Sequence, residues 1–205
     1  MFDLIIIGAS GHGKVIADIA EKNGYSSIAF LDDDLSIDKC GEYDVIGSCS
    51  DAIKHKNSKF IVGIGNADIR KRIMEFLVQN NLNVVSLFHP AAVISKTARI
   101  GNGTVVMAGA VINPYVKIGS GCIINTCASV DHDCVIGDYV HISVGAHVAG
   151  NVKIGDNTWI GAGATVSNNI EITNDCMIGA GAAVVCNIEN SGTYIGIPAK
   201  NISQI

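Results

Sequence analysis

The sequence contains no run of eighteen apolar residues, no basic leader ahead of a long apolar stretch, and no C-x-x-C pair. The first two absences exclude a membrane-spanning helix and a secretory signal, so a cytoplasmic address is expected. The third argues against a zinc knuckle or a redox dithiol, and an odd total of seven scattered cysteines favours free thiols. Positive charge is scarce as well. After Pro90 there are five basic residues against seven acidic ones, so no basic stripe can follow a phosphate backbone and nucleic acid is excluded as a partner. What is left is an ordinary soluble chain of 205 residues, 48% hydrophobic, with a net charge of −5 and room for one domain or two small ones.

Its second half is strictly periodic. From Ile94 to Val184 every sixth residue is Ile or Val, and the fourth residue after each of these anchors is small or β-branched. Alternate side chains of a strand share a face, so anchor and small residue both point inward, and the Gly, Asn and Asp between them supply corners. An amphipathic helix needs a period near 3.6, which a period of six cannot satisfy. The pattern therefore predicts a parallel β-helix of about five coils, three hexads to a coil, whose core is buried only by stacking coil on coil. Cys122, Cys134 and Cys176 fall at the small inward position, where Cys acts as a compact apolar residue.

The first half reads differently. Asp3 to Ile7 is an apolar strand ending in Gly8-Ala9-Ser10-Gly11-His12-Gly13, followed by helical spacing through Val15, Ile16, Ile19 and Ala20. Further strands are predicted at 27–31, 59–64 and 83–87, with a short helix around 50–56 and a longer one over 68–80 carrying Ile69, Ile73, Phe76 and Leu77 inward. This gives a small Rossmann-like, doubly wound α/β domain over residues 1–88 and an all-β solenoid domain over 89–205.

In a doubly wound sheet ligands bind beyond the carboxyl ends of the strands, where this sequence places Ser10-Gly11-His12, Asp32-Asp33 and Gly65-Asn66. A glycine turn opening a helix suits a diphosphate, and an acidic residue after the second strand suits a ribose or a base. Asp32 lies twenty-four residues past Gly8, as in a dinucleotide fold, but the glycines read G-x-x-G-x-G, not G-x-G-x-x-G, and only one mononucleotide half is present. A nucleotide-linked ligand is favoured over NAD. The competing reading is a tight turn and nothing more.

On the solenoid, His132 lies between Asp131 and Asp133 at a predicted corner. A carboxylate fixing one imidazole nitrogen leaves the other as a base near neutral pH. One coil on is Gly150, whose backbone N–H could meet a developing oxyanion, or which could serve only as a corner. His132, His141 and His147 are spaced by nine and six residues, so no two stack on one edge, and a zinc site would need another subunit; a metal-dependent hydratase stays as an alternative. His55 and His89 suit solvated or structural roles.

The Gly8–Gly13 turn, Leu31-Asp32-Asp33, Gly65-Asn66, the 125–155 segment around His132 and the terminal Gly196-Ile-Pro-Ala-Lys200 together resemble bacterial sugar acyltransferases of the sialic acid O-acetyltransferase group. Within that group the likeness is greatest to N-acetyltransferases of nucleotide-linked 4-amino sugars. The resemblance covers nearly the whole chain. It implies a left-handed β-helix, a homotrimer with active sites between subunits, acetyl-CoA as donor, a nucleotide-linked amino sugar as acceptor and no metal. Carried over by residue, His132 is the general base, Asp133 its carboxylate partner and Gly150 the oxyanion donor. Ser10, Gly11, His12, Asp32, Asp33 and Gly65 match sugar-nucleotide contacts, and His141, Ala162 and Ala180 match the coenzyme A side. The position of Asp133 is Glu in the nearest relatives, which leaves Asp131 as a second candidate partner. O-acetylation of a sialic acid or similar sugar, a non-catalytic trimeric nucleotide-sugar-binding protein, and an acyl-enzyme through Cys127 remain as alternatives.

Overall fold

The computed structural model describes residues 2 to 204 and divides the chain into two compact units, Met1–Pro90 and Ala91–Ile205. In the first unit β1 (Leu4–Ile7), β2 (Ile28–Leu31), β5 (Lys59–Val62) and β6 (Asn83–Val84) form a parallel sheet in the order β2-β1-β5-β6. A small antiparallel pair, β3 (Lys39–Cys40) and β4 (Tyr43–Asp44), lies outside it. The chain moves outward from β1 to β2, then returns to the other side of β1. α1 (Gly11–Lys22) connects β1 to β2 and α2 (Ala67–Gln79) connects β5 to β6, and the switch point falls between β1 and β5. Every residue of β1 and β2 is buried, as expected of strands covered on both sides.

Two sequence expectations shift here. On α2 the buried stripe is Arg70, Ile73, Met74 and Leu77, while Ile69 is 38% exposed. The inward place belongs to an arginine because its guanidinium donates to the Ile64 and Gly65 carbonyls at 2.9 and 2.8 Å, satisfying a charge that burial would otherwise penalise. The segment around 50–56 is a 3₁₀ helix over Cys49–His55, closed at its start by a reciprocal Ser48–Asp51 capping box. The pairing of β6 also stops after Val84, short of the predicted Leu87.

The second unit is a left-handed parallel β-solenoid. One face stacks six rungs, ending inward in Ile94, Ile112, Val130, Val148, Val166 and Val184; the next stacks five, through Ile100, Ile118, Ile136, Ile154 and Ile172. The third carries Val106, Ile124, Ile142, Ile160 and Ile178 in register. Five complete coils are thus followed by the first rung of a sixth. Most anchors are under 6% exposed, and burying each Ile or Val contributes about 1.5–3 kcal/mol. The small inward positions hold Cys122, Cys134 and Cys176, all buried; Cys122 and Cys134 donate through sulfur to the Gly137 and Ala149 carbonyls at 3.1 Å.

Corners turn on a residue with left-handed backbone, which recurs at six-residue intervals as Tyr115, Gly121, Cys127, Asp133, Tyr139, Gly145 and Asn151. That conformation favours Gly, Asn and Asp. Beyond Val184 the period breaks. Gly192–Ile195 adds one more parallel strand beside Cys176–Ile178, and Lys200–Asn201 turns back antiparallel against it, covering the last coil.

Candidate active site

The glycine turn is shaped by close packing. A Cβ on Gly13 would lie 2.2 Å from the Gly8 carbonyl oxygen, and one on Gly8, at φ +112°, would lie 2.6 Å from Ile64. A Cβ on Gly63 would lie 3.1 Å from the Gly13 Cα. These glycines let the start of α1 and the two loops at the switch point touch. Gly11 and Gly65 differ: a Cβ on either meets nothing within 4 Å, and neither has a left-handed φ. The fold gives no internal reason for glycine at these two positions, which is what backbone left bare for a ligand looks like. Ser10 precedes α1 without a side-chain capping bond, and the first turn carries no acidic residue, so the positive end of the helix is not neutralised by its own sequence.

Both predicted acidic residues accept bonds from backbone N–H groups. Asp32 accepts from the Ala9 N–H at 2.6 Å and from the Asp34 N–H at 2.9 Å, pinning the glycine turn to the end of β2. Asp33 accepts from the Cys49 N–H at 2.9 Å. Ser10 Oγ approaches the Gly63 carbonyl at 3.4 Å. His12 is half-buried, and burial followed by the neighbouring Arg70 charge holds its pKa down to about 4, so it is neutral at physiological pH. Arg70 was not foreseen; an arginine on the apolar stripe of an amphipathic helix was the available signal.

In the solenoid, one corner stacks Lys96, Pro114, His132, Gly150 and Asn168 at eighteen-residue steps, held by bonds such as Asp133 N–H to Pro114 O and Asn151 N–H to His132 O. His132 is exposed. Its Nδ1 meets Asp133 Oδ2 at 2.9 Å, leaving Nε2 turned to the next coil, where a Cβ on Gly150 would lie 2.7 Å from it. Gly150 therefore does more than turn a corner: its missing side chain is the space the imidazole occupies. Among the described residues its N–H meets no protein acceptor. The Asp133 hydrogen bond, aided by the Asp131 charge, raises the His132 pKa above its ordinary value. Asp131 is engaged otherwise, accepting from the His132 backbone N–H at 2.8 Å and from Asn113 Nδ2 at 2.6 Å. Asn113, one coil before Asp131, was legible only through the eighteen-residue offset.

Ala162 and Ala180 stack with Val144 on a different corner, linked by Gly163 N–H to Val144 O and Gly181 N–H to Ala162 O. His141 sits on the adjoining flat face in register with Trp159, not on that corner itself. The two rings stack at 4.8 Å, and His141 Nε2 lies 3.1 Å from Asn125 Nδ2. His147 lies on yet another face, with Nδ1 2.8 Å from Ser129 Oγ. Within one chain, His132 and the Ala162–Ala180 edge stand at opposite ends of one solenoid face. Among the described residues no three His, Cys, Asp or Glu side chains come together as a metal site.

Comparisons with known proteins match this architecture. The model of the PglD N-terminal domain matches residues 3–77, and that of the bacterial transferase hexapeptide matches 92–132, 133–168 and 151–185. The acetyltransferase domain of PglB from Neisseria gonorrhoeae, solved also with acetyl coenzyme A, is 40% identical, with a TM-score of 0.93 over 97% of this chain and 98% of that one. The chain belongs to the PglD-type hexapeptide acetyltransferases. PerB from Caulobacter crescentus, solved with CoA and GDP-perosamine, is 33% identical with a TM-score of 0.91, covering 96% of this chain and 95% of that one. The UDP-N-acetylbacillosamine N-acetyltransferase of Bacillus subtilis is 37% identical over 113 residues, a match spanning about half of each protein, 53% of this chain and 52% of that one. In this PglD-type acetyltransferase the first family model covers the unit that carries the glycine turn and the second covers the hexad solenoid.

Proposed function

We propose that this chain transfers the acetyl group of acetyl-CoA to the 4-amino group of a nucleotide-linked deoxy sugar. The observation that carries the reading is the His132–Asp133 pair with Nε2 directed at an unencumbered Gly150, in a chain similar from end to end to enzymes solved with CoA and a nucleotide amino sugar. The sugar amine attacks the thioester carbonyl carbon and its proton passes to His132 Nε2. The Gly150 N–H donates to the oxyanion while Asp133 stabilises the imidazolium. As the carbon–sulfur bond breaks, His132 returns the proton and coenzyme A leaves as the thiol. No covalent enzyme intermediate is needed.

Gly11, Gly65 and the unneutralised start of α1 support a nucleotide site in the first unit, with Ser10, His12, Asp32 and Asp33 shaping it. His141, Ala162 and Ala180 take the coenzyme side. Because His132 and that edge are separated within a chain, the reaction calls for a homotrimer in which one subunit's His132 corner faces its neighbour's coenzyme edge. Incubation with acetyl-CoA and UDP-, GDP- and dTDP-linked 4-amino sugars tests the reading: the expected result is N-acetyl sugar with stoichiometric free thiol. Turnover of a free sialic acid instead, or of no sugar at all, would overturn it. Cys127→Ser should keep full turnover; ping-pong kinetics would replace direct attack by an acyl-enzyme.

A further inference from the structure

Three successive coils form the His132 corner in three different ways. The residue before the corner stacks as Asn113, Asp131 and Ala149, and the corner residue itself as Pro114, His132 and Gly150. Asp131 bends back on its own chain, its Oδ1 accepting the His132 backbone N–H at 2.8 Å. Asn113 cannot do the same, because Pro114 has no N–H. Its amide reaches instead into the next coil, where Nδ2 donates to that same Asp131 Oδ1 at 2.6 Å. Ala149 carries no acceptor for Gly150, whose N–H meets no protein acceptor among the described residues.

The local bond does not need a charge. Asn125 makes it at another corner, its Oδ1 accepting from the Thr126 N–H at 2.7 Å. A half-buried carboxylate also has a soft terminal torsion, so the bond to the next residue does not by itself select one orientation. Two donors converging on one oxygen do. The His132 N–H and then the Asn113 amide hold the Asp131 carboxyl below the usual carboxylate range, which keeps it ionised where a histidine titrates. The charged groups around His132 are Asp131 and Asp133 beside it in the chain. One coil before, its column holds Pro114 and that of Asp133 holds the phenol Tyr115; one coil after stand Gly150 and Asn151, and Lys96 lies two coils before.

His132 is thereby held at two points. Asp133 fixes the ring through Nδ1, and Asp131 fixes the main chain from which the ring projects. Together they aim Nε2 at the space left by Gly150. We infer that Asn113 and Asp131 are positioning residues for His132: the Asn113 amide, freed by Pro114, clamps the Asp131 carboxylate, and the clamped carboxylate sets the direction in which the imidazole leaves the corner. The inference rests on the acetyl-transfer reading for what His132 does, but the clamp is measurable without turnover.

The test combines amide hydrogen exchange at the His132 N–H with steady-state kinetics at a pH where His132 is neutral. Asn113→Ala removes the clamp without altering charge or any inward side chain. It should speed exchange at His132 by at least about tenfold and lower kcat by about threefold to tenfold, with both KM values within about twofold and the melting temperature little changed. Asn113→Asp sets two carboxylates against each other and should lower kcat at least as far. Adding Asp131→Asn to it reverses donor and acceptor, since the new amide keeps its oxygen for the His132 N–H and donates through nitrogen to the new carboxylate; kcat should return to that of Asp131→Asn alone. Unchanged exchange in Asn113→Ala, a raised KM at constant kcat, or an Asn113→Asp defect that Asp131→Asn does not repair would each overturn the assignment. Equal acetyl-transfer rates for wild type and Asn113→Ala sink this inference alone. Exchange that responds as stated in a protein that transfers no acetyl group sinks the functional reading and leaves the clamp on His132 standing.

Discussion

The glycine turn of the first unit and the His132 corner of the second each combine a histidine, a carboxylate and bare backbone, yet they put them to opposite uses. At the turn, His12 is half-buried beside Arg70 and kept neutral, and Asp32 spends its hydrogen bonds on the turn itself. At the corner, His132 is exposed, holds its carboxylate through Nδ1, and keeps Nε2 clear. The first arrangement suits the shaping of a turn, and the second has the form the proposed base requires. Burial suppresses a histidine's proton affinity, whereas an adjacent carboxylate raises it; which of the two a site shows indicates whether it positions a ligand or moves a proton.

Substitutions separate the two. The largest effect is expected at the corner: His132→Ala should lower kcat by about 10²–10⁴-fold with little change in melting temperature, since the side chain is more than half exposed. Near-normal turnover would remove His132 as the base. Gly150→Ala should follow. The new methyl collides with an imidazole free to swing aside, so the fold should survive while the displaced base costs about tenfold to a hundredfold in kcat. A fall in thermal stability with turnover intact would count against that geometry.

At the turn the comparison is between glycines. Gly13→Ala drives a methyl into the Gly8 carbonyl and should destabilise the protein by about 2 kcal/mol or more in chemical denaturation. Gly11→Ala meets open space and should leave stability unchanged or slightly improved, while weakening nucleotide binding. Equal stabilities for the two variants would erase the distinction between packed and open glycines. The subtlest effect is in pH. His132 must be neutral to accept a proton and Asp133 raises its pKa, so kcat/KM should fall on acidification with a limb above the free histidine value of about 6.5. Asp133→Asn should move that limb to lower pH and reduce turnover while leaving coenzyme A affinity alone. An unmoved limb, or one moved only by Asp131→Asn, would reassign the partner.

The solenoid was legible because its period is a physical constraint applied at every rung: anchors, small inward residues and corners could be named from spacing alone, as could the stacking of Gly150 above His132. What Gly150 does for His132 was not, since a corner glycine and a glycine that houses a ring are the same letter. The choice between Asp131 and Asp133 also needed coordinates, because it turns on Asn113 occupying Asp131 from the preceding coil. In the first unit the alternation of strands and helices could be anticipated, but not Arg70, whose burial depends on two carbonyls in a loop five and six residues upstream. Irregular loops carry no repeat against which a displaced residue would stand out.

The column that joins Lys96, Pro114, His132 and Gly150 at eighteen-residue steps also gives the protein an evolutionary gauge. Duplication or loss of one eighteen-residue coil within the column restores every inward contact on either side of the junction, so such an event alters the spacing of surface groups by one increment of about 4.8 Å while leaving the core intact. Point substitution cannot change a length so cleanly. An ancestor of this chain could have changed that spacing by counting coils, with the His132–Asp133 pair and the open Gly150 backbone carried along unchanged.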